Sequence, residues 1–252
     1  MKVRILGCGP SYGVPSLSRG FGLCDPKNPK NIRFRSSVLI ENNDTNILID
    51  SGPEIRIQLL RVGSPKLDAV LYTHEHYDHM GGADDLRSVM SEENGTLPIY
   101  LTKDASKHFK NILQYLFRAQ TKGTDVFQLN LIKPYHAFQV GDMSIQPIPQ
   151  KHGNGHSIGY RIGDFAYSTD VVSMDEKAFH ALEGIKVWVL GVVTPIANNK
   201  HINIETALQW IERIKPERAY FTHMGSRMDY DTLCRNLPDY IRPVYDGMEI
   251  DV

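Results

Sequence analysis

Four residues able to ligate a metal ion, His74, His76, Asp78 and His79, fall within six positions of the segment Thr73-His74-Glu75-His76-Tyr77-Asp78-His79. Imidazole nitrogen together with carboxylate oxygen suits zinc, manganese or iron. The segment directly follows an apolar run at 69–72, and a loop at a strand end can turn several side chains toward one point. An accidental cluster on a polar surface loop would rarely be so dense in a chain of average composition. Four ligands this close in sequence cannot wrap one ion with good geometry, but two neighbouring ions can share them if other loops supply the rest. Three single residues also follow apolar runs: His152 after 143–148, Asp170 after 165–168 and His223 after 218–221. Of these, Asp170 is the group best able to bridge two cations, one on each oxygen.

The elements that must position these residues are short apolar runs alternating with stretches of helical spacing, the pattern of layered α and β structure. Strands are predicted at 3–6, 37–40, 46–49, 69–72, 127–132, 143–148, 158–162, 165–168, 187–190, 218–221 and 248–252. Helices are predicted at 54–62, between Pro53 and Gly63, at 86–90, at 104–117 with Asp104 as cap, at 175–182, and at 203–214 with Asn203 as cap. Phe109, Ile112, Leu113 and Leu116 form the inward face of the third helix, and Leu208, Ile211 and Ile214 that of the last. No linker or repeat divides the chain, so one unit over 1–252, with two sheets and outer helices, is expected.

The 252 residues carry 28 Lys+Arg against 29 Asp+Glu, a net charge of −1. This balance argues against a chain built to coat nucleic acid or an acidic membrane. Cys8, Cys24 and Cys234 lie far apart and form no CxxC pair, which excludes a disulfide framework and fits a reducing compartment. The N-terminal apolar run is too short for a signal peptide, and the longest apolar stretch, 187–197, is shorter than the roughly 18 residues of a spanning helix. A cytoplasmic protein is expected, with no membrane partner.

The His74-x-His76-x-Asp78-His79 motif, with Leu48-Ile49-Asp50-Ser51-Gly52 before it and His152, Asp170 and His223 after it, resembles the metallo-β-lactamase superfamily. The similarity is closer to the PhnP-type phosphoribosyl 1,2-cyclic phosphate phosphodiesterases, and runs from Gly7-x-Gly9 through Gly13-Val14-Pro15 to Asp246-Gly247-Met248-Glu249-Ile250. The resemblance implies a four-layer αβ/βα sandwich with the site in a cleft along one edge of the sheets. It assigns His74, His76 and His152 to one divalent ion, Asp78, His79 and His223 to a second, and Asp170 to both. The ions would be manganese or zinc, with iron also compatible. Asp50 would orient a ligand from behind, and His201 would act as general acid or phosphate-binding donor. A small cyclic phosphodiester is the implied substrate, and a homodimer the implied assembly.

Other residues carry smaller expectations. Arg33, Arg35 and Lys200 are candidate phosphate contacts through charge-assisted hydrogen bonds. His108, His136, His156 and His180 are assigned to surface or structure. Relatives of the PhnP type often hold a structural zinc between a Cys cluster after the Gly-Val-Pro segment and a second C-terminal His. This chain has only Cys24 there and Ser226 at the partner position. No structural zinc is expected, so packing or a partner subunit must order loop 16–32. An RNA-processing nuclease would need a basic arm that the chain does not show, so nucleic acid is not an expected partner. A lactone, thioester or β-lactam hydrolase is the remaining rival, against which Asp78 and the cytoplasmic setting speak.

Overall fold

A computed structural model describes residues 1–90, 96–118, 126–196 and 198–252. Its strands are β1 (Lys2–Gly7), β2 (Ser37–Asn42), β3 (Thr45–Ile49), β4 (Ala69–Leu71), β5 (Leu97–Leu101), β6 (Phe127–Leu131) and β7 (Phe138–Val140). They continue with β8 (Met143–His152), β9 (Gly155–Ile162), β10 (Phe165–Ser168), β11 (Val187–Gly191), β12 (Arg218–Thr222), β13 (Ile241–Pro243) and β14 (Glu249–Asp251). Among the described residues these form two seven-stranded sheets, ordered β14-β1-β2-β3-β4-β5-β6 and β13-β12-β11-β10-β9-β8-β7.

Side-chain alternation explains why the sheets stack. In β2 and β3, Val38, Ile40, Ile47 and Ile49 point between the sheets, into a core shared with Ile145, Tyr160 and Tyr167. Their neighbours Leu39 and Leu48 point the other way, onto Ile55, Leu59 and Phe109 of the outer helices. The helix Ile204–Ile214 covers the second sheet through Ala207, Ile211 and Ile214. Burying each such aliphatic side chain contributes roughly 1.5–3 kcal/mol. The result is the four-layer αβ/βα sandwich that the sequence implies.

Strands β3 through β6 run parallel, as do β10 through β13. In parallel arrays, side chains that bind ligands gather just beyond the carboxyl ends of the strands. Asp50 follows β3, the histidine loop follows β4, Asp170 follows β10 and His223 follows β12. Two bonds between sheets hold the start of the histidine loop: Ile158 N donates to Thr73 O (2.8 Å), and the Tyr160 hydroxyl donates to Tyr72 O (2.7 Å).

Several local expectations are corrected. Thr102, not Asp104, caps the helix Lys103–Ile112, accepting from Ala105 N at 3.2 Å. That helix ends at Ile112 and a separate turn, Gln114–Arg118, follows; Ile112 is exposed, so the inward face is narrower than expected. Leu208, Ile211 and Ile214 of the last long helix do pack on the core, Leu208 half-buried, and Ala207 joins them as a further inward residue. Strands β5, β7 and β13 and the helices Tyr77–Met80 and Tyr230–Asn236 were not expected from the sequence.

Loop 16–32 is ordered by packing onto segment 224–231, one of the alternatives the sequence leaves open. Leu23 N donates to Ser226 O (2.7 Å), Asn31 Nδ2 to Asp229 Oδ2 (2.8 Å) and Asn28 Nδ2 to Asp231 Oδ2 (3.0 Å). Gly22 has φ +59°, and a Cβ there would stand 2.6 Å from Ser226 O, so only glycine allows this approach. Arg33, expected at a substrate phosphate, is instead 2% exposed. Its guanidinium donates to the carbonyls of Met224 (3.2 Å), Gly225 (3.2 Å) and Met228 (2.6 Å) and to Asn31 Oδ1 (2.9 Å). The arginine is a buried staple between the two segments. Among the described residues, no helix is long and apolar enough to cross a membrane.

Candidate metal centre

The seven residues singled out by sequence converge. Ligand atoms of His74, His76 and His152 lie within 4.8 Å of one another, as do those of Asp78, His79 and His223, and those of His74, His79 and Asp170. Asp170 stands between the groups: Oδ2 is 2.8 Å from His79 Nε2, and Oδ1 is 3.3 Å from His223 Nε2 and 3.6 Å from His152 Nε2. His201 joins the cluster, with Nδ1 3.3 Å from Asp170 Oδ1.

Backbone geometry aims these groups. Asp50, Asp170 and His223 have φ of 62°, 50° and 56°, a left-handed conformation that side chains other than glycine seldom adopt. Each follows the end of a strand, and the sharp turn swings the side chains of Asp170 and His223 onto the floor of the cleft and that of Asp50 behind it, onto Thr73 and His79. Strained backbone of this kind gathers at functional sites. Gly52 has a different task, since a Cβ there would lie 2.3 Å from Asp78 O. Its absence lets the turn carrying Asp78 and His79 pack against the end of β3, where Ser51 N donates to His79 O (2.7 Å).

Behind the cluster, four histidines have an acceptor at Nδ1. His79 Nδ1 lies 2.7 Å from Asp50 Oδ2, and His152 Nδ1 lies 3.0 Å from Lys200 O. The Ser36 hydroxyl donates to Gly9 O (2.9 Å), so its oxygen is left to accept from His223 Nδ1 (2.9 Å). The Thr73 hydroxyl likewise donates to Asp50 Oδ2 (2.8 Å) and accepts from His74 Nδ1 (3.0 Å). With each Nδ1 proton committed outward, the Nε2 lone pair faces the centre. Among the described residues the buried Nε2 of His74 has no hydrogen-bond partner, and the buried Nε2 atoms of His79 and His223 face only the carboxylates of Asp78 and Asp170. Such inward-facing nitrogens, converging with two carboxylates, fit a divalent cation pair by position and by donor type.

The electrostatics agree. Burial lowers the pKa of His74 well below its ordinary value, with His79 adding to the effect, and burial also lowers His223 and His76. Burial alone would raise Asp170 and Asp78, but neighbouring histidines, His223 and His79 foremost, hold both below the usual carboxylate range. For His79 burial is outweighed by Asp78, Asp50 and Asp170, which raise it well above the ordinary histidine value. A cation at this position competes with that proton. Burial brings His201 down to about 4 despite the nearby Asp170.

A cavity of about 560 Å³ opens onto this cluster, with His76, His152, Asp170, His201 and His223 lining its floor. Of the three expected phosphate contacts, only Lys200 lines it. Arg35 is tied to Ser11 O (3.0 Å) and paired with Glu54, and Arg33 is the buried staple already described. His156 is exposed opposite Lys151 in the β8–β9 hairpin and belongs to none of the ligand groups. The Nδ1 acceptors Thr73 and Ser36 were not singled out from the sequence, nor were the wall residues Arg19 and Arg227.

A cleft of this kind, with clustered His and Asp at the carboxyl ends of parallel strands in a four-layer sandwich, defines a metallohydrolase. The chain belongs to the metallo-β-lactamase superfamily, close to its PhnP type: the family model described as "Beta-lactamase superfamily domain" matches residues 45–224. A Porphyromonas gingivalis protein named octanoyltransferase is 32% identical over 253 residues, covering 99% of this chain and 51% of that protein. The chain thus spans about half the length of that relative. Among solved structures, a diphosphatase from the PhnP family superposes with TM-score 0.92 at 28% identity, over 100% of this chain and 97% of that one. Zn²⁺-bound PqqB from Methylobacterium extorquens shares the fold with TM-score 0.81 at 17% identity, over the whole of both chains.

Proposed function

We propose that this enzyme is a dinuclear metal-dependent phosphodiesterase acting on a small phosphodiester or diphosphate, phosphoribosyl 1,2-cyclic phosphate being one such substrate. The observation that carries the reading is the pair of ligand groups, His74/His76/His152 and Asp78/His79/His223, flanking one carboxylate, Asp170, on the floor of a cavity sized for a small molecule. Manganese and zinc both suit the donor set. Bound there, divalent cations would lower the pKa of water and offset charge on the phosphoryl oxygens.

The remaining tasks fall to side chains of this chain. Asp50 and Thr73 hold His79 and His74 in the ligating orientation. His201, enclosed beside Asp170 and neutral at pH 7, donates a hydrogen bond to the oxygen that leaves phosphorus. Lys200 meets a nonbridging oxygen from the wall. The likeness to a PhnP-family diphosphatase supports attack at phosphorus. An octanoyl substrate would need an apolar channel, whereas the cavity wall is mostly Ser, Thr, Arg, Lys and His, which favours a phosphorylated substrate over an acyl one.

The test is an assay of the full chain with Mn²⁺ or Zn²⁺ against phosphoribosyl cyclic phosphate, a cyclic nucleotide, an aryl phosphodiester, a dinucleoside diphosphate, precursor tRNA and an acyl thioester. Turnover of the small phosphorus substrates is expected. Cleavage of precursor tRNA alone would replace this reading by the nuclease, and cleavage of the thioester alone by the acyl hydrolase.

A further inference from the structure

His223 is supported from segments far from it in sequence. Its Nδ1 meets the Ser36 hydroxyl (2.9 Å), which is itself bonded to Gly9 O (2.9 Å), and the backbone just after it is tied by Met224 N to Cys8 O (2.8 Å). Both ties end on one crossing, where segment 8–9 beyond β1 meets segment 34–36 before β2. There Gly9 N donates to Phe34 O (2.7 Å), and Gly9 pairs with Arg35 in parallel register. With φ of 56°, His223 holds a backbone conformation that needs support from its surroundings, and the crossing supplies it.

A single side chain clamps that crossing. Asp246 Oδ1 accepts from Cys8 N (3.0 Å) and Oδ2 from Phe34 N (2.7 Å). The segment that carries Asp246 is fixed on both sides, by Val244 N to Phe221 O (3.0 Å) and by Gly247 N to Ile5 O (2.7 Å). Phe221 lies in β12, two positions before His223. The bonds therefore close a circuit, from β12 to Asp246, across to Cys8 and Phe34, and back through Ser36 and Met224 to His223. Two N–H donors from separate segments require an acceptor on each oxygen, which a carboxylate offers and an amide does not. The other imidazoles rest elsewhere: His74 on Thr73, His79 on Asp50 and His152 on Lys200 O.

We infer that Asp246 is a positioning residue for one of the two proposed ions alone: by clamping Cys8 and Phe34 it keeps His223 in the ligating orientation, and its loss opens the Asp78/His79/His223 set while sparing His74/His76/His152. The inference rests on the reading of two ligand sets, though not on the substrate. It separates Asp246 from Asp50, whose contacts reach one histidine of each set.

Two measurements on the full chain, stripped of metal by chelator, test this. In calorimetric titration with Zn²⁺ the wild type should bind two ions, and the step missing in His223→Ala identifies the one at issue. Asp246→Asn should weaken that step by at least about tenfold and leave the other within about twofold. Asp246→Glu, which keeps two acceptors, should show the same selectivity to a smaller degree and serves if the Asn variant does not fold. Ser36→Ala should weaken the same step, and joined to Asp246→Asn it should add little, since both act through His223. Val187→Ala, a core truncation at the amino end of β11, should lower stability with neither step changed. By NMR of the metal-free protein, the His223 Nδ1 proton should be protected from exchange in the wild type and lose that protection in Asp246→Asn. Equal weakening of both steps, no weakening, or an Nδ1 proton as protected in the variant as in the wild type overturns the positioning role. A single ion bound by the wild type, with the Nδ1 proton still exposed by Asp246→Asn, would instead remove the two-ion reading and leave Asp246 in its role.

Discussion

Asp50 Oδ2 lies 2.7 Å from His79 Nδ1 with both side chains fully buried, so the carboxylate at the end of β3 sets the orientation of a ligand on the next loop. The same carboxylate accepts from Thr73 N and from the Thr73 hydroxyl, both at 2.8 Å, and that hydroxyl in turn meets His74 Nδ1. One group thereby directs two imidazoles, one from each proposed ligand set.

Replacing Asp50 by Ala should therefore weaken metal retention at both positions together. Loss of a group that orients a ligand from behind commonly lowers metal affinity by about 10–100-fold. Titration with a competing chelator reads this directly, and Asp50→Asn, which keeps one acceptor, should fall between. Retention equal to wild type in the Ala variant would show that the histidines are held by packing alone.

Arg33 offers a second test because its partners are backbone carbonyls adjoining His223. Arg33→Met leaves the carbonyls of Met224, Gly225 and Met228 without the donors they now have, at an expected cost on the order of 3 kcal/mol in unfolding free energy. Chemical denaturation measures this. Arg33→Lys should recover part of the loss, since an ammonium can serve some but not all of the four acceptors. A phosphate-binding arginine would behave in the opposite way, changing KM with no effect on stability.

How far these features were legible in the sequence depends on how local their causes are. The histidine loop was legible because its ligands share one strand end, and His152, Asp170 and His223 because each follows an apolar run. The burial of Arg33 was not, since its carbonyl partners lie more than 190 positions away. Arg19 and Arg227 are lone cations on irregular turns, and only the tertiary packing of those turns brings both to the wall of the cavity. Strands β7 and β13 span three residues each, too few for a period of two to show, and Pro98 obscures β5. The cap at Thr102 lost to Asp104 in the sequence reading because both residue types accept from the first turn and nothing local separates them.

The carboxyl of Asp246 gives the fold a pH dependence. It accepts from Cys8 N (3.0 Å) and Phe34 N (2.7 Å), joining the end of β1 to the approach to β2. Burial raises its pKa to about 6 although these donors pull the other way. A raised carboxyl pKa means that the protonated form is favoured in the fold, so its stabilising contribution is complete below about pH 4 and is lost as pH rises through about 6. Between these limits the wild type should lose on the order of 3 kcal/mol from this group. In Asp246→Asn that slope should vanish, while overall stability falls because an amide accepts from only one of the two N–H groups. Denaturant midpoints measured across pH 4–7 decide it; an unchanged slope in the variant would assign the titration elsewhere.

His201 separates binding of metal from chemistry. Its ring packs beside His152 and His223, at centroid distances of 5.0 and 5.8 Å, and its Nδ1 approaches Asp170, yet it belongs to neither of the proposed ligand sets. It stands on the segment whose Lys200 carbonyl accepts from His152, and Asn198 Oδ1 fixes that segment by accepting from Lys200 N (2.8 Å) and His201 N (2.9 Å). Replacing the imidazole with Ala leaves these backbone bonds in place, so metal content should match wild type by elemental analysis. Turnover of a diester with a poor alkoxide leaving group should fall about 10²–10⁴-fold. A 4-nitrophenolate leaving group, which departs without help from a donor, should suffer much less. Equal losses on both substrates would mean that His201 acts by shaping the floor of the cleft, and a loss of metal would place it among the ligands instead.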